Sequence, residues 1–219
     1  MYRIHEFGKT NTYMNNMISV IIIDDHPLVL NGFEFILNNH ADIKLLNTFT
    51  NAEDALKFLE TNEADVVLAD INMPGMNGID ATVAVKKNQP KTQIIAISNI
   101  SKGSIVQRML DAGASGYLLK NVSASELINA IRSVMKGDKI LSADIEPIMN
   151  QTDGAVPKIT QREQEVLRLM STGKTTPQIA EQMFISPLTV ESHRRNLLQK
   201  FKVSNSASLI HKATEMKFI

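Results

Sequence analysis

The chain has 219 residues, 43% of them apolar, and no cysteine. That is enough for one large or two ordinary domains with cores of their own, and it excludes a disulfide scaffold or a thiolate metal site. The charges cancel overall but not locally. Residues 1–150 carry 13 basic and 17 acidic side chains and residues 158–219 carry 10 and 5, so an acidic part precedes a basic one suited to nucleic acid.

Residues 1–16 are polar and lack the apolar centre of a signal peptide; they read as a loose extension. The apolar run Met17–Ile23 is broken by Ser19 and falls far short of the roughly 20 residues a membrane span needs. No membrane association is expected, and the cytoplasm is the expected compartment. Ile18–Ile23 reads as a strand leading into Asp24-Asp25-His26-Pro27, with Pro27 suited to the first turn of a helix. A second strand spans Ile43–Phe49, and Ala52, Ala55, Leu56 and Leu59 mark an amphipathic helix. The third strand, Val66–Asp70, is followed by a turn at Pro74-Gly75 and a helix from Gly78 to Asn88. A fourth strand at Gln93–Ser98, a helix from Ser104 to Ala112 and a fifth strand at Gly116–Lys120 come next. Ser123 and Glu126 then form a capping box ahead of a helix through Leu127, Ile128, Ile131 and Val134.

Five strand–helix alternations predict an α/β fold: a doubly wound, five-stranded parallel sheet with helices on both faces, spanning 17–137. Residues 138–157 lack a sustained period and contain Pro147, Gly154 and Pro157, which reads as a linker. From 158 to 219 four short helical patterns predict a small all-α domain. Thr160 and Glu163 form a capping box; Ser186-Pro187 is an N-cap followed by proline, opening a helix to Phe201. Two helices joined by a short turn, the second rich in Thr189, Glu191, His193, Arg194 and Arg195, read as a helix-turn-helix.

The strand ends supply the chemistry. Asp24 and Asp25 leave the first strand, Asp70 the third, Ser98 the fourth and Lys120 the fifth. Ligands of open α/β sheets bind at these carboxyl ends. Three crowded carboxylates need a cation, and hard oxygen ligands suit Mg²⁺ shared with phosphate oxygens. Lys120 offers a point cation and Ser98 a hydrogen bond to an added oxygen. The set suits transfer of a phosphoryl group to a carboxylate.

The Asp-Asp pair, the Asp70–Gly75 turn, the Ser98 strand and the Lys120 strand resemble the receiver domain of two-component response regulators, of flavodoxin-like fold. That resemblance implies that Asp70 takes a phosphoryl group from a sensor histidine kinase. It also implies that Asp24, Asp25, Asp70 and the Asn72 carbonyl hold Mg²⁺, that Ser98 and Lys120 contact the phosphate, and that Tyr117 is the aromatic switch. The order Thr160-x-Arg162-Glu163-x-Glu165-Val166-Leu167, Ile179-Ala180, Thr189-Val190-Glu191-Ser192-His193-Arg194, Lys200 resembles the LuxR-type DNA-binding domain. Together the parts resemble a NarL/FixJ-type regulator, a transcription factor and not an enzyme. That implies a helix 187–201 in the major groove of double-stranded DNA, Lys200 on the backbone, Ser192 among the contacts, and dimerisation on phosphorylation. Glu191 stands where relatives carry lysine; a carboxylate accepts from cytosine but neutralises no phosphate. Two other readings compete. A metal-dependent phosphohydrolase would be expected to carry a second acid where Asn72 stands, and a constitutive DNA binder would not need the full acidic set.

Overall fold

A computed structural model describes residues 17–150 and 156–219; the extension expected at 1–16 and part of the expected linker lie outside them. The chain forms two compact units, one of residues up to Asn99 with Ala112–Ser142, the other of Ile100–Asp111 with Ala143–Ile219.

The first unit is a parallel sheet of β1 (Ile18–Ile23), β2 (Ile43–Phe49), β3 (Val66–Asp70), β4 (Gln93–Ser98), β5 (Gly116–Leu119) and β6 (Ile140–Leu141), ordered β2-β1-β3-β4-β5-β6. Its helices are α1 (Pro27–Asn38), α2 (Ala52–Leu59), α3 (Gly78–Asn88) and α5 (Ala124–Val134). Each residue of β3 is buried, as are the last four of β1 and the last five of β4. Strands covered on both faces read as continuous apolar runs, which is why they were legible. One face of the core joins Val20, Ile22, Leu68 and Ile95 to Leu30, Leu37, Leu127 and Ile131.

The sheet has six strands where five were expected. Two-residue β6 pairs Gly116 with Ile140 and Tyr117 with Leu141, and the amide of Ser142 donates to the Tyr117 carbonyl at 3.0 Å. In return the Leu119 N–H donates to the Ser142 hydroxyl at 3.0 Å. Two residues carry no period, so only the pairing reveals this strand.

The reversal of strand order between β1 and β3 is the topological switch point, where loops part and a crevice opens at the strands' carboxyl ends. Asn77 caps α3 there, its Oδ1 accepting the Ile79 and Asp80 amides at 3.0 Å each.

The second unit contains α4 (Gly103–Asp111), α6 (Glu146–Asn150), α7 (Gln161–Ser171), α8 (Thr176–Met183), α9 (Pro187–Phe201) and α10 (Ser206–Glu215). Helix α4, read from sequence as part of the sheet domain, groups here. The Arg108 guanidinium stands 3.8 Å over the Phe218 ring and donates to the Met216 carbonyl beyond α10. Val166, Leu167, Ile179, Val190, Leu197, Phe201 and Leu209 form the core. Helix α8 ends at Phe184 in the left-handed region (φ 55°), closing the turn so that α9 starts at once from the Ser186 cap. Among the described residues no helix is long and apolar enough to cross a membrane.

Candidate functional site: an acidic pocket and a helix-turn-helix

Four strand ends converge at the switch point. Asp24 and Asp70 are 1% and 3% exposed, and Ser98 is fully buried. The Lys120 ammonium bridges the first two, 2.6 Å from Asp24 Oδ2 and 3.0 Å from Asp70 Oδ2. Asp70 Oδ1 accepts the Ile71 amide at 2.7 Å, and the Asn72 amide also donates to this carboxylate. Burial raises the Asp70 carboxyl above its ordinary value, Lys120 opposes the rise, and the Asp24 charge adds to it. Burial alone would lower Lys120, but its bonds to Asp24 and Asp70 prevail and hold its ammonium above the usual range. The pocket is therefore a strained truce between burial and pairing.

Asp24, Asp25, His26 and Asp70 each present a ligand atom within 4.8 Å of the others. The His26 amide donates to Asp24 Oδ1 at 2.9 Å, and its ring Nδ1 lies 3.1 Å from that atom and 2.8 Å from Asp25 Oδ1. Asp25 Oδ1 is buried and, despite that short distance, makes no hydrogen bond of acceptable geometry. A buried carboxylate oxygen in want of a partner, beside two more carboxylates, fits a hard divalent cation such as Mg²⁺. His26, the residue before α1 starts at Pro27, thus sits beside both carboxylates.

Ser98 and Tyr117, the expected switch residues, adjoin the pocket. Lys120 N–H donates to the Ser98 carbonyl at 2.9 Å, and the Ser98 and Tyr117 hydroxyls share a hydrogen bond. Tyr117 is fully buried; burial first, and the Asp70 charge in addition, push its phenol up to about 12, against the lowering effect of the Ser98 bond.

Gly78 is a site residue that sequence reading treated as punctuation. A Cβ there would stand 2.0 Å from the Asp70 carbonyl oxygen and 2.9 Å from Ile71 Cα, so α3 starts against the backbone at the end of β3. Glu53 holds the intervening turn, accepting the Met76 amide at 3.1 Å. The Glu53 contact joins residues 23 apart, beyond the reach of local pattern, and the Gly78 contact depends on how tightly the turn folds back on β3.

In the second unit, α8 and α9 form the expected helix-turn-helix, and the seven expected DNA-contact residues are not alike. Arg195 and Ser192 are exposed, and His193 is partly buried. Ser192 donates to the Leu188 carbonyl at 3.0 Å. Thr189 shares a 2.8 Å bond with the Ser186 hydroxyl within the cap. Arg194 turns inward, donating to Thr176 at 2.7 Å and Ser206 at 3.0 Å, while Thr176 donates to Glu191 at 2.5 Å. Lys200 donates at 2.6 Å to Glu163, whose Oε2 also accepts the Thr160 amide at 2.7 Å and hydroxyl at 3.0 Å.

A phosphoacceptor-type carboxylate pocket at the switch point of a parallel sheet, on one chain with a helix-turn-helix, defines a DNA-binding regulator controlled by phosphorylation. Residues 20–132 match the response regulator receiver domain and residues 157–213 the luxR family of bacterial regulatory proteins. The chain is 32% identical over 204 residues to the response regulator UvrY of Escherichia coli K12, covering 90% of this chain and 94% of the other. It superposes with a TM-score of 0.62 and 26% identity on Salmonella enterica serovar Typhimurium RcsB bound to promoter P1flhDC with phosphomimetic BeF3-, covering 90% and 98% of the two chains. A structure of two RcsB dimers on two parallel DNAs matches with a TM-score of 0.61 at 26% identity, covering 91% and 98%. The chain belongs to the NarL/FixJ-type response regulators, receiver followed by LuxR-type DNA-binding domain, and so to transcription regulators rather than enzymes.

Proposed function

We propose that Asp70 is the phosphoacceptor and that a sensor histidine kinase is the donor. An Asp70 carboxylate oxygen attacks the phosphorus of a phosphohistidine, the P–N bond breaks, and the imidazole leaves with the bonding pair. The observation that carries this reading is the Lys120 bridge: one ammonium within 3.0 Å of Asp70 and 2.6 Å of Asp24 is placed to follow negative charge onto an added phosphoryl oxygen. Asp24, Asp25, Asp70 and the Asn72 carbonyl would hold Mg²⁺, which when bound offsets the charge of the entering phosphate. Ser98 would bond a phosphoryl oxygen, exchanging its Tyr117 contact for it; Tyr117 and β5 would relay the change.

On this reading a phosphorylated homodimer in the cytoplasm binds paired half-sites in double-stranded DNA. Helix α9 lies in the major groove, with contacts drawn from Thr189, Glu191, Ser192, His193, Arg194, Arg195 and Lys200, the inward-turned Arg194 acting by positioning. The RcsB structures, with DNA, dimers and a phosphomimetic, support it. The test is intact-mass analysis after treatment with acetyl phosphate, with and without Mg²⁺. One added phosphoryl group is expected only with Mg²⁺, and none in Asp70→Asn. Undiminished labelling of that variant refutes the assignment. DNA affinity should fall by about 0.9 log unit per decade of salt for each phosphate neutralised.

A further inference from the structure

Helix α9 buries Val190, Leu197 and Phe201, so its outward side at the N-terminal end is made by Leu188, Glu191, Ser192 and Arg195, all exposed. Two of these do not suit a polyanion. Leu188 is 76% exposed, and Glu191 is the single acidic residue of the helix. Neither is there by default. The Glu191 side chain is half exposed yet fixed: Thr176 donates to its Oε1, and Arg194 stands 3.7 Å away while bonded to Thr176 and Ser206. Thr176 of α8 thus holds the carboxylate on the outward face, with Arg194, itself anchored to Thr176 and Ser206, beside it. Such pre-positioning is wasted on a solvated charge and useful to a group that reads a partner.

Chemistry narrows what each residue can read. A carboxylate only accepts hydrogen bonds. Of the base edges in the major groove, cytosine offers its N4 amino group to Glu or Asp, and thymine offers a methyl to an apolar side chain. Residues three apart on a helix are neighbours, about 5–6 Å between Cβ atoms, a separation that spans adjacent base pairs. We propose that Glu191 and Leu188 set the operator sequence, Glu191 accepting from the amino group of a cytosine and Leu188 packing on the methyl of a thymine in a neighbouring base pair. The proposal rests on α9 occupying the major groove.

The test is selection from a randomised double-stranded DNA library with full-length protein treated with acetyl phosphate and Mg²⁺. Wild type is expected to enrich cytosine at one position of each half-site. Glu191→Gln, which keeps an acceptor for Thr176, lowers that preference on the order of tenfold while leaving the other positions as they were. Leu188→Ala relaxes the neighbouring thymine instead. Replacing that thymine by uracil in a synthetic operator weakens wild type but not Leu188→Ala. A Glu191→Gln selection identical to wild type, or a uniform loss at every position, overturns the proposal by reducing Glu191 to a structural bond. A wild type that enriches no motif overturns the major-groove reading and this inference with it.

Discussion

The contact between Glu163 and Lys200 offers the sharpest test of how the DNA-binding unit is held together. Glu163 is 3% exposed, and a single oxygen accepts from the Lys200 ammonium and from the amide and hydroxyl of Thr160. The substitution Glu163→Gln keeps an oxygen for the helix cap but removes the charge that Lys200 bonds. Hydrogen bonds to charged groups contribute about 1.5–3 kcal/mol each, and Lys200 is exposed enough to recover part of its hydration. The net loss is therefore about 1–2 kcal/mol, a roughly 5- to 30-fold change in the local folding equilibrium. Native-state hydrogen exchange on the full chain reads it directly. Amides of α7 and α9 should exchange faster by that factor, while those of β3 and β4 serve as unchanged controls.

The sign of the pH dependence follows from the same bonds. Burial would raise the Glu163 carboxyl, but Lys200 and Thr160 together hold it below its ordinary value. A carboxyl lowered in the folded state stabilises above its unfolded value, about 4.3, and that contribution is lost as pH falls through the lowered folded value. The gap between wild type and Glu163→Gln should be full near neutrality and close in acid. A gap equally wide in acid, or slowed control strands in place of slowed helices, would refute the ion-pair account.

Other outcomes follow from the receiver. Gly78→Ala places a methyl against the Asp70 carbonyl and should destabilise by at least about 2 kcal/mol in urea denaturation. Phosphoryl uptake should also slow, up to roughly a hundredfold for a displacement near 1 Å; wild-type values for both would show that α3 can move aside at no cost. Tyr117 is one of three tyrosines, and burial pushes its phenol up to about 12 from an ordinary value of about 10. Its contribution to stability is full below about pH 10 and lost as pH rises through the folded value. Tyr117→Phe should flatten that alkaline limb and remove an ionisation near pH 12 from the ultraviolet difference spectrum; a spectrum unchanged near pH 12 would mean the ring is not enclosed.

Much of this architecture was legible because it is local. β1, β3 and β4 are mostly apolar runs, interrupted only by Ser19 in β1, with polar residues at or just beyond their carboxyl ends, so the pattern alone puts Asp24, Asp70 and Ser98 on one edge. Thr160 and Ser123 announced their helices by a four-residue pattern, and both capping boxes are present. What escaped was what depends on pairing across distance. The strand at Ile140–Leu141 exists only by its hydrogen bonds to β5. The bond from Lys200 to Glu163, 37 residues earlier, has no local sequence pattern to announce it. The inward turn of Arg194 depends on Thr176 and Ser206, each on another helix. Ser98 and Tyr117 were both named, but their mutual bond was not, because orientation about a buried strand carries no sequence signature.

The segment after α5 begins by clipping onto β5. Residues 140–142 hold the outer edge of β5 by a two-residue ladder, by the Ser142 amide donating to the Tyr117 carbonyl, and by the Leu119 amide donating to the Ser142 hydroxyl. The chain thus departs toward its second half from the flank of the strand that carries Tyr117. Main-chain and hydroxyl bonds fasten the leaving segment to β5 on both sides of Tyr117's own carbonyl, so that strand and exit path share one hydrogen-bonded ladder.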